Sequence, residues 1–168
     1  ELTPMAYVAT SNALVHFLEK QEGVPTTAIL VGFEKLHLTV TVARAGKIDG
    51  VKVTKRGATA GSVIEKVLLT FADVETLPSK ILIYGTLGSE LKSQLLSFSW
   101  MSKLSFLHFP KIEALELDLE IKSVCLAGGS EINPNVSYTD HPIRKAAERT
   151  EILDDKEEVK EGKDNFGF

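Results

Sequence analysis

The stretch Thr27–Thr54, TAILVGFEKLHLTVTVARAGKIDGVKVT, decides how the rest of the chain is read. Thr27 to Phe33 is almost continuously apolar, as befits a central strand covered on both faces. Leu36 to Arg44 alternates instead, with Leu36, Leu38, Val40 and Val42 on one side and His37, Thr39 and Thr41 on the other. Ala45-Gly46-Lys47 supplies a tight turn, and Ile48 to Thr54 gives a third strand. Connections this short leave no room for a crossover, so the three strands must run as an antiparallel meander.

Upstream, Thr3 as N-cap and Pro4 at the first helical position predict a helix from Pro4 to about Glu22, closed by Gly23 and Pro25. Met5, Tyr7, Val8, Leu14, Val15, Phe17 and Leu18 spread over a wide face of it, which predicts more than one neighbour. Downstream, Ser62-Val-Ile-Glu65 has the form of a capping box, and Val63, Ile64, Val67, Leu68 and Phe71 make a helical stripe. Lys80 to Tyr84 reads as a second buried strand. It leads through Gly85-Thr86-Leu87-Gly88 into a helix N-capped by Ser89 that carries Leu91, Leu95 and Phe98. Ser99 to Pro110 is an aromatic-rich connection, and Ile112 to Leu115 a short edge strand. Asp118 to about Ala127 is predicted as a last helix with Ile121, Val124 and Cys125 inward, ended by Gly128-Gly129.

The element order α, then β-β-β-α-β-α-β-α, predicts an α/β fold, a mixed five-stranded sheet with helices on both faces, over residues 1–132. From 133 to 168 the composition turns polar. Six basic and eight acidic residues fall between Arg144 and Asp164. Such a segment buries too little apolar surface to offset its ordering entropy and is read as a charged linker or disordered tail.

Of the 168 residues 43% are hydrophobic and 25% charged, ordinary values for a folded domain with its own core. A net charge of −4 gives no basic footprint for nucleic acid or an anionic membrane. One cysteine, Cys125, allows no internal disulfide, suits a reducing, cytoplasmic setting, and is read as a buried thiol. No apolar run is long enough to cross a bilayer, so direct membrane insertion is not expected. The start at Glu1 and the stop at Asn165-Phe-Gly-Phe168 read like a segment cut from a longer polypeptide.

Chemistry-bearing patterns are few. The four histidines, His16, His37, His108 and His141, have no metal-ligand spacing, and His108 between aromatics is read as packed. Glu113, Glu116, Asp118 and Glu120 read as acidic charge at a helix start. No catalytic residue and no metal site are assigned. Gly85, Thr86, Gly88 and Ser89 have the make-up of a strand-to-helix turn able to face an anion. Phe98, Trp100, Phe106 and Phe109 form an aromatic cluster expected to dock a protein partner, against the plainer reading that they seal the sheet.

The order of elements resembles the ribonuclease-H-like core as duplicated in the actin-like ATPase superfamily, and in particular the C-terminal half of a bacterial actin-like protein of the PilM/FtsA type. Two motifs over about residues 5–132 carry the resemblance. Ile29-Leu-Val-Gly-Phe-Glu-Lys-Leu-His-Leu-Thr39 stands where the family has its phosphate-gripping hairpin, and Ile81-Leu-Ile-Tyr-Gly-Thr-Leu-Gly-Ser89 where it has an adenosine-packing glycine turn. The resemblance implies that Gly85, Thr86, Gly88 and Ser89 are a degenerate cofactor-binding turn. It also marks departures. Gly32 replaces the acid that positions metal or water, Glu34 replaces a glycine that lets backbone approach phosphate, and Leu36 and His37 replace hydroxyl ligands. The inserted subdomain and the other half of the ATPase are not in this sequence. What the resemblance implies is a non-catalytic scaffold with no cofactor, ATP and Mg entering only with an intact other half. Its partner would be a protein or that missing half, in a cytoplasmic pilus-type or secretion-type assembly at the inner face of the membrane. Two alternatives stay open: the closing half of a genuine ATPase, and a metal-dependent enzyme of ribonuclease-H-like fold. The last would need acids where Gly32 and Thr86 stand.

Overall fold

Ala28–Phe33 forms β1, and every residue of it is buried. A strand apolar on both sides needs cover on both sides, and the rest of the chain supplies it. The structure, a computed structural model, describes residues 7–71, 76–132 (at 132 the backbone alone) and 135. The chain divides into two units, Glu1–Tyr138 and Thr139–Phe168. The second unit, and with it nearly all of the expected charged linker, lies outside the described residues.

The elements of the first unit are α1 (Thr10–Glu22), β1, β2 (His37–Arg44), β3 (Lys47–Lys55), α2 (Ala60–Leu69), β4 (Lys80–Tyr84), α3 (Gly88–Leu96), β5 (Lys111–Ala114) and α4 (Leu119–Ile132). The five strands form one mixed sheet in the order β3-β2-β1-β4-β5. The meander pairs antiparallel, Val31 opposite Val40 and Thr41 opposite Val51. β4 joins β1 in parallel with Gly32 opposite Tyr84, and β5 joins β4 in parallel. Between Val42 and Ala43 the β2–β3 register shifts, leaving Asp49 as an extra residue whose carboxylate pairs with Arg44.

One face of the sheet presents Ile29, Val31, Phe33, Leu38, Val40, Val42, Ile81 and Ile83 to α2 and α3, which contribute Ile64, Leu68, Leu91 and Leu95. The other presents Ala28, Leu30, Ala43, Leu82 and Tyr84 to Leu14, Phe17 and Leu18 of α1 and Leu119 and Leu126 of α4. Each large side chain so buried contributes about 1.5–3 kcal/mol relative to leaving it in water. β3 is an edge strand, and Lys47, Lys52 and Lys55 along it discourage further strand pairing.

Several local expectations are corrected. α1 starts at Thr10, not at Pro4: Ala9 is extended (φ −71°, ψ 135°), and Tyr7 is 90% exposed. The helix holds where Ala13, Leu14, Val15, Phe17 and Leu18 have a core to enter. Thr3-Pro4 lie outside the described residues. The Ser62–Glu65 capping box does not form, because α2 begins at Ala60 with Thr59 as N-cap and no side-chain cap bond. Burial of Ala60 in the core and of Gly61 against the Phe98 ring starts the helix earlier, and Glu65 turns inward to meet Lys103 at 3.3 Å. Ser89 is likewise not a cap. It lies inside α3, which begins at Gly88 behind Leu87. Leu36 falls outside the β2 alternation and is exposed in the turn. His108 is exposed rather than packed, its backbone N–H donating to Ser79 Oγ at 3.3 Å.

The largest correction concerns α4. It runs through Gly128-Gly129 to Ile132, and it is Leu119, Ser123 and Leu126 that face inward. Ile121 and Val124 are exposed, as is the Cys125 thiol that was expected to be buried.

Trp100 and Phe106 of the aromatic connection are core rather than surface, while Met101, Leu107 and Phe109 are exposed. Trp100 is fully buried in a single 3₁₀ turn, its Nε1–H donating to Leu95 O at 2.9 Å. Its ring stacks edge-on with Phe98 at 4.8 Å and Phe106 at 6.4 Å between centroids. Phe106 is buried, bridged in parallel to Leu77, and Phe98 packs against the core in part. Of the four aromatic residues expected to meet a partner, Phe109 alone is largely exposed. A Trp whose N–H finds a carbonyl acceptor at the end of α3 can be buried whole, which is why the polar residues between the aromatics do not pull it to the surface. Trp100→Ala should therefore destabilise the domain by about 3–5 kcal/mol in urea unfolding; a near-native unfolding midpoint would contradict this packing role.

Candidate functional site

β1 and β4 run side by side in parallel and end together, and their continuations diverge, β1 into the turn to β2 and β4 into the turn to α3. Such a divergence opens a cleft at the carboxyl ends of the strands, where α/β sheets commonly bind ligands. Here it is a depression of about 420 Å³ bordered by the Glu34–His37 turn, by Gly85 and Thr86, and by Glu120 from the first turn of α4.

The sequence builds each wall for a local reason. Glu34 N–H donates to His37 O at 3.1 Å and closes the hairpin. The Arg56 guanidinium lies 4.3 Å from the centroid of the Phe33 ring on the underlying strand. Gly85 has φ +101°, and a Cβ there would sit 2.6 Å from the Phe33 carbonyl oxygen, so both conformation and space demand glycine. Of the turn residues singled out in the sequence, Gly85 and Thr86 line the cleft. Gly88 is buried, with Ile83 the nearest neighbour to an added Cβ, and Ser89 is exposed on α3.

The floor is Tyr84. A Cβ added to Gly32 would lie 2.5 Å from Tyr84 Cζ and 2.6 Å from Tyr84 Oη. The phenol therefore occupies the volume that any side chain at position 32 would need. It is nearly buried, and its hydroxyl is pushed up to about 12, first by burial and then by the charges of Glu120 and Glu34. The Glu120 carboxyl is held above the ordinary carboxylate range by burial and by Glu34. Two carboxylates thus share the cleft, with Lys35 the cation among its lining residues. At the N-terminus of α3, Glu90 in the first turn already answers the positive end of the helix. Glu34 and Glu120 would repel an anion entering the cleft, and Lys35 would attract it.

Tyr84 and Glu120 were not singled out as site residues in the sequence. Tyr84 reads there as one more strand residue, and Glu120 as solvated helix-start charge; only the packing of α4 beside β4 brings them together. Among the described residues no group of three or more His, Cys, Asp or Glu side chains is placed to hold a metal ion. Among them also, no helix is long and apolar enough to cross a membrane. A second groove, about 540 Å³, lies between α1 and α4, where Ser130 Oγ and His16 Nε2 stand 3.4 Å apart. Comparison with protein-family models, with curated proteins and with solved structures finds no match for this chain.

Two outcomes follow from this geometry. Gly32→Ala should cost about 1–3 kcal/mol through overpacking, and much less in a Tyr84→Ala background; equal costs in both backgrounds would show that Tyr84 is not the obstacle. For Glu120, the folded pKa lies above the unfolded one, so between the two values the native state holds the extra proton. The contribution of this group to stability is then present at low pH and lost as pH rises through that window. Glu120→Gln should accordingly be more stable than the native sequence at pH 7, with the difference shrinking on acidification to about pH 4. Urea unfolding at the two pH values tests this, and a difference that grows in acid would reverse the assignment.

Proposed function

We propose that this domain is a non-catalytic protein-interaction scaffold descended from one half of an actin-like ATPase, its nucleotide cleft closed from within. The observation that carries the reading is Tyr84 lying over Gly32 with Glu34 and Glu120 beside it. An acid at position 32, which the family would use to position metal or water, has no room there. Phosphate oxygens approaching the hairpin face two carboxylates. The sheet order β3-β2-β1-β4-β5, with β2 antiparallel to its neighbours and helices on both faces, supports a ribonuclease-H-like core. The adenosine-type turn at Gly85–Ser89 is kept for its geometry, because the chain must reverse from β4 into α3 against the Phe33 carbonyl. On this reading the domain needs no cofactor, and it serves a cytoplasmic pilus-type or secretion-type assembly through contacts with other proteins.

Titration calorimetry of the full chain with Mg-ATP tests it. No binding heat is expected. A dissociation constant in the low micromolar range, about 8 kcal/mol of binding free energy, would restore the alternative in which this is the closing half of a working ATPase.

A further inference from the structure

α4 is apolar on two faces, one turned to the domain's own core and one to solvent. Its inward face offers Leu119, Ser123 and Leu126, and the buried Ser123 hydroxyl has to donate back to Glu120 O at 2.7 Å. The outward face carries Leu117 just ahead of the helix, 64% exposed, then Ile121, 70%, Val124, 42%, and Gly128. A Cβ added to Gly128 would touch nothing within 4 Å. The steps between these four positions are four, three and four residues, the spacing that keeps one stripe facing a second helix. An isolated exposed leucine needs no explanation, but a continuous apolar stripe at this spacing does. Gly128 leaves room at one end of the stripe for a close backbone approach.

Charge decides the occupant. Asp118 borders the stripe on one side and is paired with Lys122 at 2.9 Å; Glu131 borders it on the other, and Glu116 precedes Leu117. Three carboxylates therefore flank the stripe, and the Lys122 ammonium beside them is already engaged. A second copy of this helix would bring carboxylates against carboxylates, and an anionic lipid surface would be repelled. We propose that the outer face of α4 docks a basic amphipathic helix of a separate partner protein, with apolar side chains on the Leu117–Ile121–Val124 stripe and Lys or Arg at its borders. The proposal rests on the reading of the domain as an interaction scaffold, and the two fail separately. ATP binding would overturn that reading whatever α4 binds, whereas only peptide binding bears on α4.

The probe is a labelled helical peptide of about three heptads with Leu and Ile along one seam and Lys at the flanking positions, titrated with the full chain by fluorescence anisotropy. A peptide with Glu in place of Lys is the control. Saturable binding of the Lys peptide is expected, at least about tenfold tighter than the Glu peptide and weakened by added salt. Ile121→Lys and Leu117→Lys, both at exposed positions, should each weaken it by about tenfold or more with the melting temperature unchanged. Equal binding of the two peptides, no binding of either, or binding that survives both substitutions overturns the proposal. So does concentration-dependent dimerisation abolished by Ile121→Lys, which would make a second copy the occupant. Sedimentation with phosphatidylserine vesicles would make it a membrane and overturn the proposal equally.

Discussion

The burial of β1 on both faces is the constraint from which the remaining architecture follows. A six-residue strand, Ala28–Phe33, with no solvent-facing side, cannot sit at an edge or under a single layer of helices. It must have a strand on each side to satisfy its backbone and a helical layer above and below to cover its side chains. The meander supplies β2 on one side, and the α2 crossover returns β4 on the other. α2 and α3 then cover the face of Val31 and Phe33, while α1 and α4 cover that of Leu30. The edge strands are the places where polarity is allowed back, as the lysines of β3 show.

Centrality of β1 also creates the cleft, because a strand flanked by an antiparallel and a parallel neighbour has two continuations leaving its carboxyl end in different directions. What such a cleft can do depends on a few atoms at the strand ends. With Gly32 opposite Tyr84, the parallel register sets a large ring against a residue with no side chain, as in a large-to-small packing pair of a core. The chemistry left at the rim is two carboxylates, a histidine, a lysine and a threonine hydroxyl. Burial raises both Glu120 and the Tyr84 phenol, and the neighbouring carboxylate charges add to it.

α4 extends the same logic to the surface. It covers the Leu82–Tyr84 side of the sheet with Leu119, Ser123 and Leu126 and leaves Ile121 and Val124 on the outside. Its outer face thus carries an apolar stripe bordered by carboxylates.

The sequence by itself determined the strands, because period-two alternation in Leu38–Val42 and unbroken apolarity in Ile29–Phe33 and Ile81–Tyr84 reflect burial that no other local structure accommodates. It determined the meander too, since Ala45-Gly46 leaves no length for any other connection, and it located the turn at Gly85. What it left to the tertiary structure were matters of facing and of distance. Apolar residues occur on two sides of α4, and nothing local says which side meets α1 and the sheet; the contact itself chose Leu119 and Leu126. Helix starts moved for the same reason, as burial of Ala60 beneath the core outweighed the capping offered by Ser62. Trp100 sits among serines and a lysine, so its polarity context pointed outward, and only the free carbonyl of Leu95 at the end of α3 made full burial possible. The cleft required the most from folding. Tyr84 and Glu120 are 36 positions apart, on a strand and a helix, and no pattern along the chain encodes that one ring would lie over Gly32 while that carboxylate faced Glu34.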